Sequence, residues 1–228
     1  MDAHKAIITN IFNNSTLIEV PFFQRSYVWK ADLWARMIED MEYIVKTNKP
    51  HFFGSIILKE GRRPHPGENF TDCRTIVDGQ QRLTTFLLFM KVLCLKLGQS
   101  TTFDCQFRIM GQSIALRHGR NDIEAFERVM ASTSADKIDN PAPQSRIIEA
   151  YNYFVDHIDE NKLNIMMVMM NAQFVRIDLN ADEDEQQIFN TINSLGVNLT
   201  TSELLKNYFF SRDTISRSEE RRVGKECV

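Results

Sequence analysis

Apolar residues recur at steps of three and four over Leu83, Phe86, Leu87, Met90, Leu93 and Leu97, the period of an amphipathic helix. A short β-branched run, Thr75-Ile76-Val77, precedes this stripe and is closed by Asp78 and Gly79. The pattern predicts a strand over 74–77 that hands over to a helix over 83–97, with the polar cluster Asp78-Gly79-Gln80-Gln81-Arg82 at the junction. Upstream, His51–Lys59 is a β-prone, mostly buried run. The stretch 61–69 holds two Pro and two Gly and reads as a loop. The two strands therefore predict a hairpin that delivers Asp78 to the edge of a sheet. Lys30–Lys46 predicts a helix with Trp34, Ile38, Met41 and Val45 on one face; Ala3–Phe12 predicts a short helix, and Leu17–Pro21 an extended stretch.

Beyond the central helix, Phe103, Cys105, Phe107 and Ile109 alternate, which predicts one more strand. From Asn121 onward helical spacing dominates, over 121–130, 144–158 and 163–170, interrupted by a strand at 174–179. Further helices are expected over 182–195, stopped by Gly196, and over 200–210. The fold class is α+β: a mixed-sheet core over 1–120, a helical extension with one strand over 121–211, and a disordered or non-native tail over 212–228. That tail departs from the rest of the chain in composition and periodicity.

Composition narrows the function classes. With 228 residues, 43% hydrophobic and 25% charged, the chain has the make-up of an ordinary globular protein. Its net charge of −3 provides no global field toward DNA or an anionic membrane. The N-terminus turns polar within a few residues, unlike a secretory signal, and no apolar run approaches the roughly 20 residues of a membrane span. Cys73, Cys94, Cys105 and Cys227 lack the short paired spacings of a zinc knuckle or a disulfide frame. A cytoplasmic protein without membrane partners is expected.

The strand-to-helix junction carries the chemistry. The leading N–H groups of a helix have no partner within it and favour anions, so phosphate is the natural guest. Turn and capping duty would account equally well for Asp78, Gly79, Thr84 and Thr85. It does not account for Gln80, Gln81 and Arg82 crowded into the same turn. Amides can position a water, and a guanidinium presents a planar fork of donors to a phosphate.

Three segments together resemble one family, the N-terminal domain of GmrSD-type modification-dependent restriction endonucleases. They are Val20-Pro21-Phe22-Phe23-Gln24-Arg25-Ser26-Tyr27-Val28-Trp29; Phe52-Phe53-Gly54-Ser55-Ile56-Ile57-Leu58 with Val77-Asp78-Gly79-Gln80-Gln81-Arg82-Leu83-Thr84-Thr85; and Ile188-Phe189-Asn190-Thr191-Ile192-Asn193-Ser194-Leu195-Gly196-Val197-Asn198-Leu199-Thr200, ending in Glu203–Asn207. The resemblance covers roughly 5–211 and implies a ParB/sulfiredoxin-like core. It implies a nucleotide-binding and hydrolysing sensor of a phage-defence restriction system, converting NTP to NDP and phosphate. Relatives continue into an HNH-type nuclease domain. The scattered His4, His51, His65, His118 and His157 offer no such metal site, so that nuclease is expected on a separate domain or subunit, with modified DNA reached through it.

The resemblance places turnover at Asp78, Gln80, Gln81 and Arg82. Arg82 would stabilise phosphate charge, Asp78 would hold Mg²⁺ or another divalent cation or orient water, and Gln80 or Gln81 would align that water. Gly79 would let the backbone approach phosphate, and Thr84 and Thr85 would cap the helix or touch phosphate. Gln24, Arg25 and Asn193 are the remaining candidates for contact with nucleotide, Arg25 also being open to a structural salt bridge. The aromatic residues Phe23, Tyr27 and Trp29 are expected to carry Gln24 and Arg25 into the pocket of Asp78 and Arg82; for Tyr27, Trp29 and Trp34 a place in the core or lining the site is expected rather than a base-stacking role. The competing reading is a non-hydrolytic ParB-like module whose nucleotide or DNA binding gates a partner nuclease; a weaker one makes the domain itself a nuclease.

Overall fold

Ten consecutive residues, His51–Glu60, form the longest strand of the sheet, and it lies inside the sheet with a neighbour on each side. The computed structural model describes residues 2–22 and 24–183. In chain order the elements are β1 (Asp2–Ile7), α1 (Ile8–Ile11), β2 (Thr16–Glu19), α2 (Ala31–Thr47), β3 (His51–Glu60), β4 (Asp72–Asp78) and α3 (Gln80–Lys96). There follow α4 (Ser100–Phe107), β5 (Arg108–Ile109), β6 (Ser113–Ile114), β7 (Leu116–Arg117), α5 (Ile123–Met130), α6 (Arg146–His157), a 3₁₀ turn, α7 (Ile165–Asn171) and β8 (Ala172–Leu179). Six strands make one mixed sheet in the order β1-β8-β3-β4-β2-β7, and β5 and β6 form a small ribbon. The α+β expectation holds.

The expected hairpin is present: β3 and β4 are antiparallel neighbours, with Ile57 opposite Asp78 and Glu60 opposite Arg74. Parallel pairing of β8 with β3 brings the strand expected at 174–179 into the interior of this sheet. Residues beyond 121 thus share a sheet with the residues before them, and the chain up to Glu183 is one compact unit.

Two expectations fail. Asp2–Ile7 is a strand, not the start of a helix, and only Ile8–Ile11 is helical. All six residues pair with β8, from Asp2 opposite Asp178 to Ile7 opposite Gln173. A partner so distant in sequence leaves no local signal, and tertiary pairing overrides the helical spacing. The strand expected at 103–109 is instead α4 followed by the two residues of β5. Phe103 and Phe107 are buried with ring centroids 5.0 Å apart, while Cys105 is exposed. A pair four apart fits a helix as well as an alternating strand, and the intervening residue decides between them.

The central helix also differs from a one-sided stripe. Every residue of α3 from Gln80 to Cys94 is buried except Arg82. A helix covered on all sides needs no amphipathic contrast, and its polar members must find partners inside the protein. Even Lys91 is buried, its ammonium 5.0 Å above the Phe103 ring, and loss of water pushes its pKa down. The helices expected at 182–195 and 200–210 lie outside the described residues.

Candidate functional site

The junction between β4 and α3 turns within a single residue. Gly79 occupies the left-handed region, with φ 97°, and stands as the N-cap of α3. A Cβ there would lie 3.1 Å from the Ser55 carbonyl oxygen and 3.2 Å from Ile56 Cα, so both backbone angle and space call for glycine. No side chain caps the helix, so its leading N–H groups have no side-chain acceptor.

Asp78 and Arg82 sit together at this turn. The Arg82 guanidinium donates through Nη1 to the Ser55 carbonyl at 2.8 Å and to Asp78 Oδ2 at 3.3 Å. Both side chains are about one-third exposed, at 34% for Asp78 and 29% for Arg82. The stem of Arg82 lies over Gly54, where a Cβ would come within 2.9 Å of its Nε. Gly54 has φ 108°, and its place in a β-prone run is the sequence signal for such close approach.

The two glutamines of the turn face the other way. Gln81 closes on the backbone of the 24–28 segment with both ends of its amide: Oε1 accepts from Val28 N–H at 2.9 Å and Nε2 donates to the Ser26 carbonyl at 3.2 Å. Gln80 donates to the Arg25 carbonyl at 3.2 Å. Reciprocally, Gln24 donates to the carbonyls of Ile76 and Val77, at 2.7 and 3.0 Å. Three glutamine side chains therefore join the Gln24–Val28 segment to the end of β4 and the first turn of α3.

A chain of hydroxyls continues the clamp inward. Thr85 donates to the Gln81 carbonyl at 2.7 Å, so the Tyr27 hydroxyl, 2.6 Å away, is the donor to Thr85 Oγ1. The Tyr27 oxygen in turn accepts from Trp34 Nε1 at 2.8 Å. Burial raises the pKa of Tyr27, which stays neutral. Thr84 donates to the Gln80 carbonyl at 2.8 Å and lies 3.2 Å from His118 Nε2. Asp122 accepts from Tyr27 N–H at 2.7 Å, and burial raises its pKa. Nothing in the sequence singled out Asp122, a lone acid 95 residues from its partner. Tyr27 and Trp34 are buried core residues, as expected.

The candidates thus divide. Asp78, Gly79 and Arg82 share one turn, with Gly79 buried and the two charged side chains partly exposed. Gln24, Gln80, Gln81, Thr84 and Thr85 surround it, each with a side-chain hydrogen bond to protein. Arg25 is exposed and lines a shallow polar cleft with Gln24, Gln80, Arg120 and Asp122, and neither Asp78 nor Arg82 lines that cleft, so the expected shared pocket is not seen. Phe23 and Asn193 lie outside the described residues. No cluster of three metal-ligating side chains occurs among the described residues. No helix among them is long and apolar enough to cross a membrane.

A family model described as the GmrSD restriction endonuclease, N-terminal domain, matches residues 8–210. The chain belongs to this family. A comparison with curated proteins finds no match. Membership in the GmrSD N-terminal domain family gives the chain a role in a restriction system, and with it DNA and a nuclease domain as partners.

Proposed function

We propose that this GmrSD N-terminal domain is a nucleotide-binding sensor module that hydrolyses NTP and gates DNA cleavage by the nuclease part of the system. The observation that carries the reading is the partly exposed Asp78–Arg82 pair at the Gly79 turn, beside a helix start that no side chain caps. Backbone N–H groups of α3 would receive phosphate oxygens, and Arg82 would neutralise their charge. Arg82 is pre-positioned by the Ser55 carbonyl, so little ordering is left for the ligand to impose.

A single carboxylate does not make a dedicated cation site. Asp78 fits a magnesium ion that arrives with the phosphates, the usual mode for an ion that keeps several waters. When bound, such an ion would supply charge neutralisation at the phosphates. Asp78 would hold it or orient the attacking water. Arg25, exposed at the adjacent cleft, is available to the remainder of the nucleotide or to nucleic acid.

A second reading, binding without turnover, has an observation in its favour. Gln81 commits both ends of its amide to the backbone of Ser26 and Val28, which leaves it no group to align a water in this arrangement, while Gln80 commits only its amide nitrogen, to the Arg25 carbonyl. The purified chain would be tested with a panel of nucleoside triphosphates and Mg²⁺, measuring binding by calorimetry and turnover by phosphate release. Saturable binding lost in Asp78→Ala and Arg82→Ala, with both variants folded, supports the site. Binding without phosphate release selects the second reading. Folded variants that bind like the parent reject the site.

A further inference from the structure

Beside the glutamine clamp, the segment that follows β2 meets the segment that precedes α5. Val20 N–H donates to the Arg117 carbonyl at 2.9 Å, and Asn121 Nδ2 donates to Ser26 Oγ at 3.3 Å. Gly119 lies at the seam, where a Cβ would stand 3.5 Å from the Pro21 carbonyl oxygen and 3.6 Å from Phe22 Cα. The shallow cleft of Arg25 and Arg120 runs along this seam and is also lined by Phe22, Asn121 and Asp122.

The cleft is locally basic in a chain whose net charge is −3. Arg25 and Arg120 are exposed, and neither guanidinium has a hydrogen bond or ion pair among the described residues. Asp122 is the acidic residue among the described residues that line the cleft; it is buried, and its Oδ2 accepts from Tyr27 N–H. Two exposed cations against one buried carboxylate give a local positive field, which calls for an anion.

The exposed aromatic narrows the anion. Phe22 is 88% exposed at the same cleft, and Asn121 is exposed beside it. A ring next to arginines suits unpaired nucleotides, because bases stack on the ring while guanidiniums take the phosphates. In an intact duplex the bases stack on one another and offer only their edges, so the ring would find no face to cover. The turn of Asp78 and Arg82, proposed above for the triphosphate, does not line this cleft.

We propose that this cleft binds an unpaired segment of DNA, with Phe22 stacked on a base, Arg25 and Arg120 on the flanking phosphates and the Asn121 amide at the base edge. DNA is the partner that family membership supplies, and the cleft gives it a place on this domain. Gln80 donates to the Arg25 carbonyl at 3.2 Å, so the strand would lie one side chain away from the first turn of α3. Binding here does not require nucleotide turnover at Asp78.

The test uses the full chain and three fluorescein-labelled probes read by anisotropy between about 50 and 200 mM salt. They are a single strand of about 12 nucleotides, the duplex of the same sequence, and an equally long strand without bases. The single strand should bind more tightly than the duplex, and about tenfold more tightly than the base-free strand, a factor within the range for one stacked base. Phe22→Ala should remove that factor. Arg25→Ala and Arg120→Ala should weaken both strands, and each should lower the log–log salt slope by about 0.7, the value for one phosphate contact on a single strand. Phe22→Ala and Arg120→Ala should leave triphosphate binding unchanged. All three side chains are exposed, so the variants should melt with the parent, and the ranking of the probes on the parent chain needs no variant. No binding of the single strand at the lowest salt, a duplex or base-free strand bound as tightly, or an unchanged salt slope in both arginine variants would overturn the proposal. So would loss of triphosphate binding in Arg120→Ala with strand binding intact, which would give the cleft to the nucleotide.

Discussion

Truncating Gln81 to alanine removes two hydrogen bonds at once, and the structure gives the size of the loss. The Val28 N–H and the Ser26 carbonyl both lose their partner, at 2.9 and 3.2 Å. Two hydrogen bonds at a net ~1 kcal/mol each give a loss of about 2 kcal/mol. Gln81 is only 8% exposed, so water enters the vacated space poorly. An unmet Val28 N–H can then add about 1–3 kcal/mol, for a total of roughly 3–5 kcal/mol. For a chain of this length that corresponds to a fall in melting temperature of roughly 6–20 °C. Thermal unfolding followed by circular dichroism measures the loss, and amide hydrogen exchange at Val28 locates it. Gln81→Glu keeps an acceptor for Val28 but sets a carboxylate oxygen against the Ser26 carbonyl, so Val28 protection should survive better than in Gln81→Ala. The reasoning fails if Gln81→Ala melts within about 1 °C of the parent with unchanged exchange at Val28. A melting temperature left in place with phosphate release abolished would instead give Gln81 the water-aligning role.

Gly54→Ala places a Cβ 2.9 Å from Arg82 Nε and should displace the guanidinium, cutting nucleotide binding far more than the positive φ alone cuts stability; parallel calorimetry and melting curves compare the two effects. Tyr27→Phe strands the Trp34 indole N–H in the core and should cost about 1–3 kcal/mol in denaturant unfolding. His118 is pushed down to about 3, below its usual 6.5, so the unfolded chain binds this proton more readily. Its destabilising effect is absent well above pH 6.5 and grows as pH falls toward 3, approaching ~1.4 kcal/mol per pH unit; a His118→Phe variant that folds should show a shallower acid slope by nearly that amount in unfolding between about pH 4 and 5.5.

What the sequence revealed followed from local signals. The β-branched run before Asp78, the Pro/Gly loop at 61–69 and the apolar spacing after Leu83 are short-range patterns, and the hairpin and central helix follow from them. The helix begins at Gln80 rather than Leu83 because polar side chains in its first turn are buried against another segment. Burial of that kind depends on residues 55 positions away. Pairing of β1 with β8 joins the two ends of the described chain and is equally invisible to a local reading. For the site, the Asp78–Arg82 juxtaposition could be expected from helical spacing, as the pair is four residues apart. The direction of the glutamines could not, since an amide suits a water and a backbone equally well.

The clamp explains how a turn this polar can be both rigid and available. Five buried or half-buried side chains, Gln24, Gln80, Gln81, Thr84 and Thr85, hold the surrounding backbone by bonds that a ligand has no need to break. The one contact a phosphate would replace is the 3.3 Å pair of Arg82 with Asp78, and a partly exposed ion pair is worth only about 0–1 kcal/mol. On the proposed reading, phosphate would take Arg82 from Asp78 at small cost while the Ser55 carbonyl keeps the guanidinium in place. The same exchange would release the Asp78 carboxylate for a cation carried by the nucleotide. Arrival of the triphosphate would then create the acceptor for its own magnesium, and free magnesium should bind the nucleotide-free chain far more weakly than the nucleotide complex.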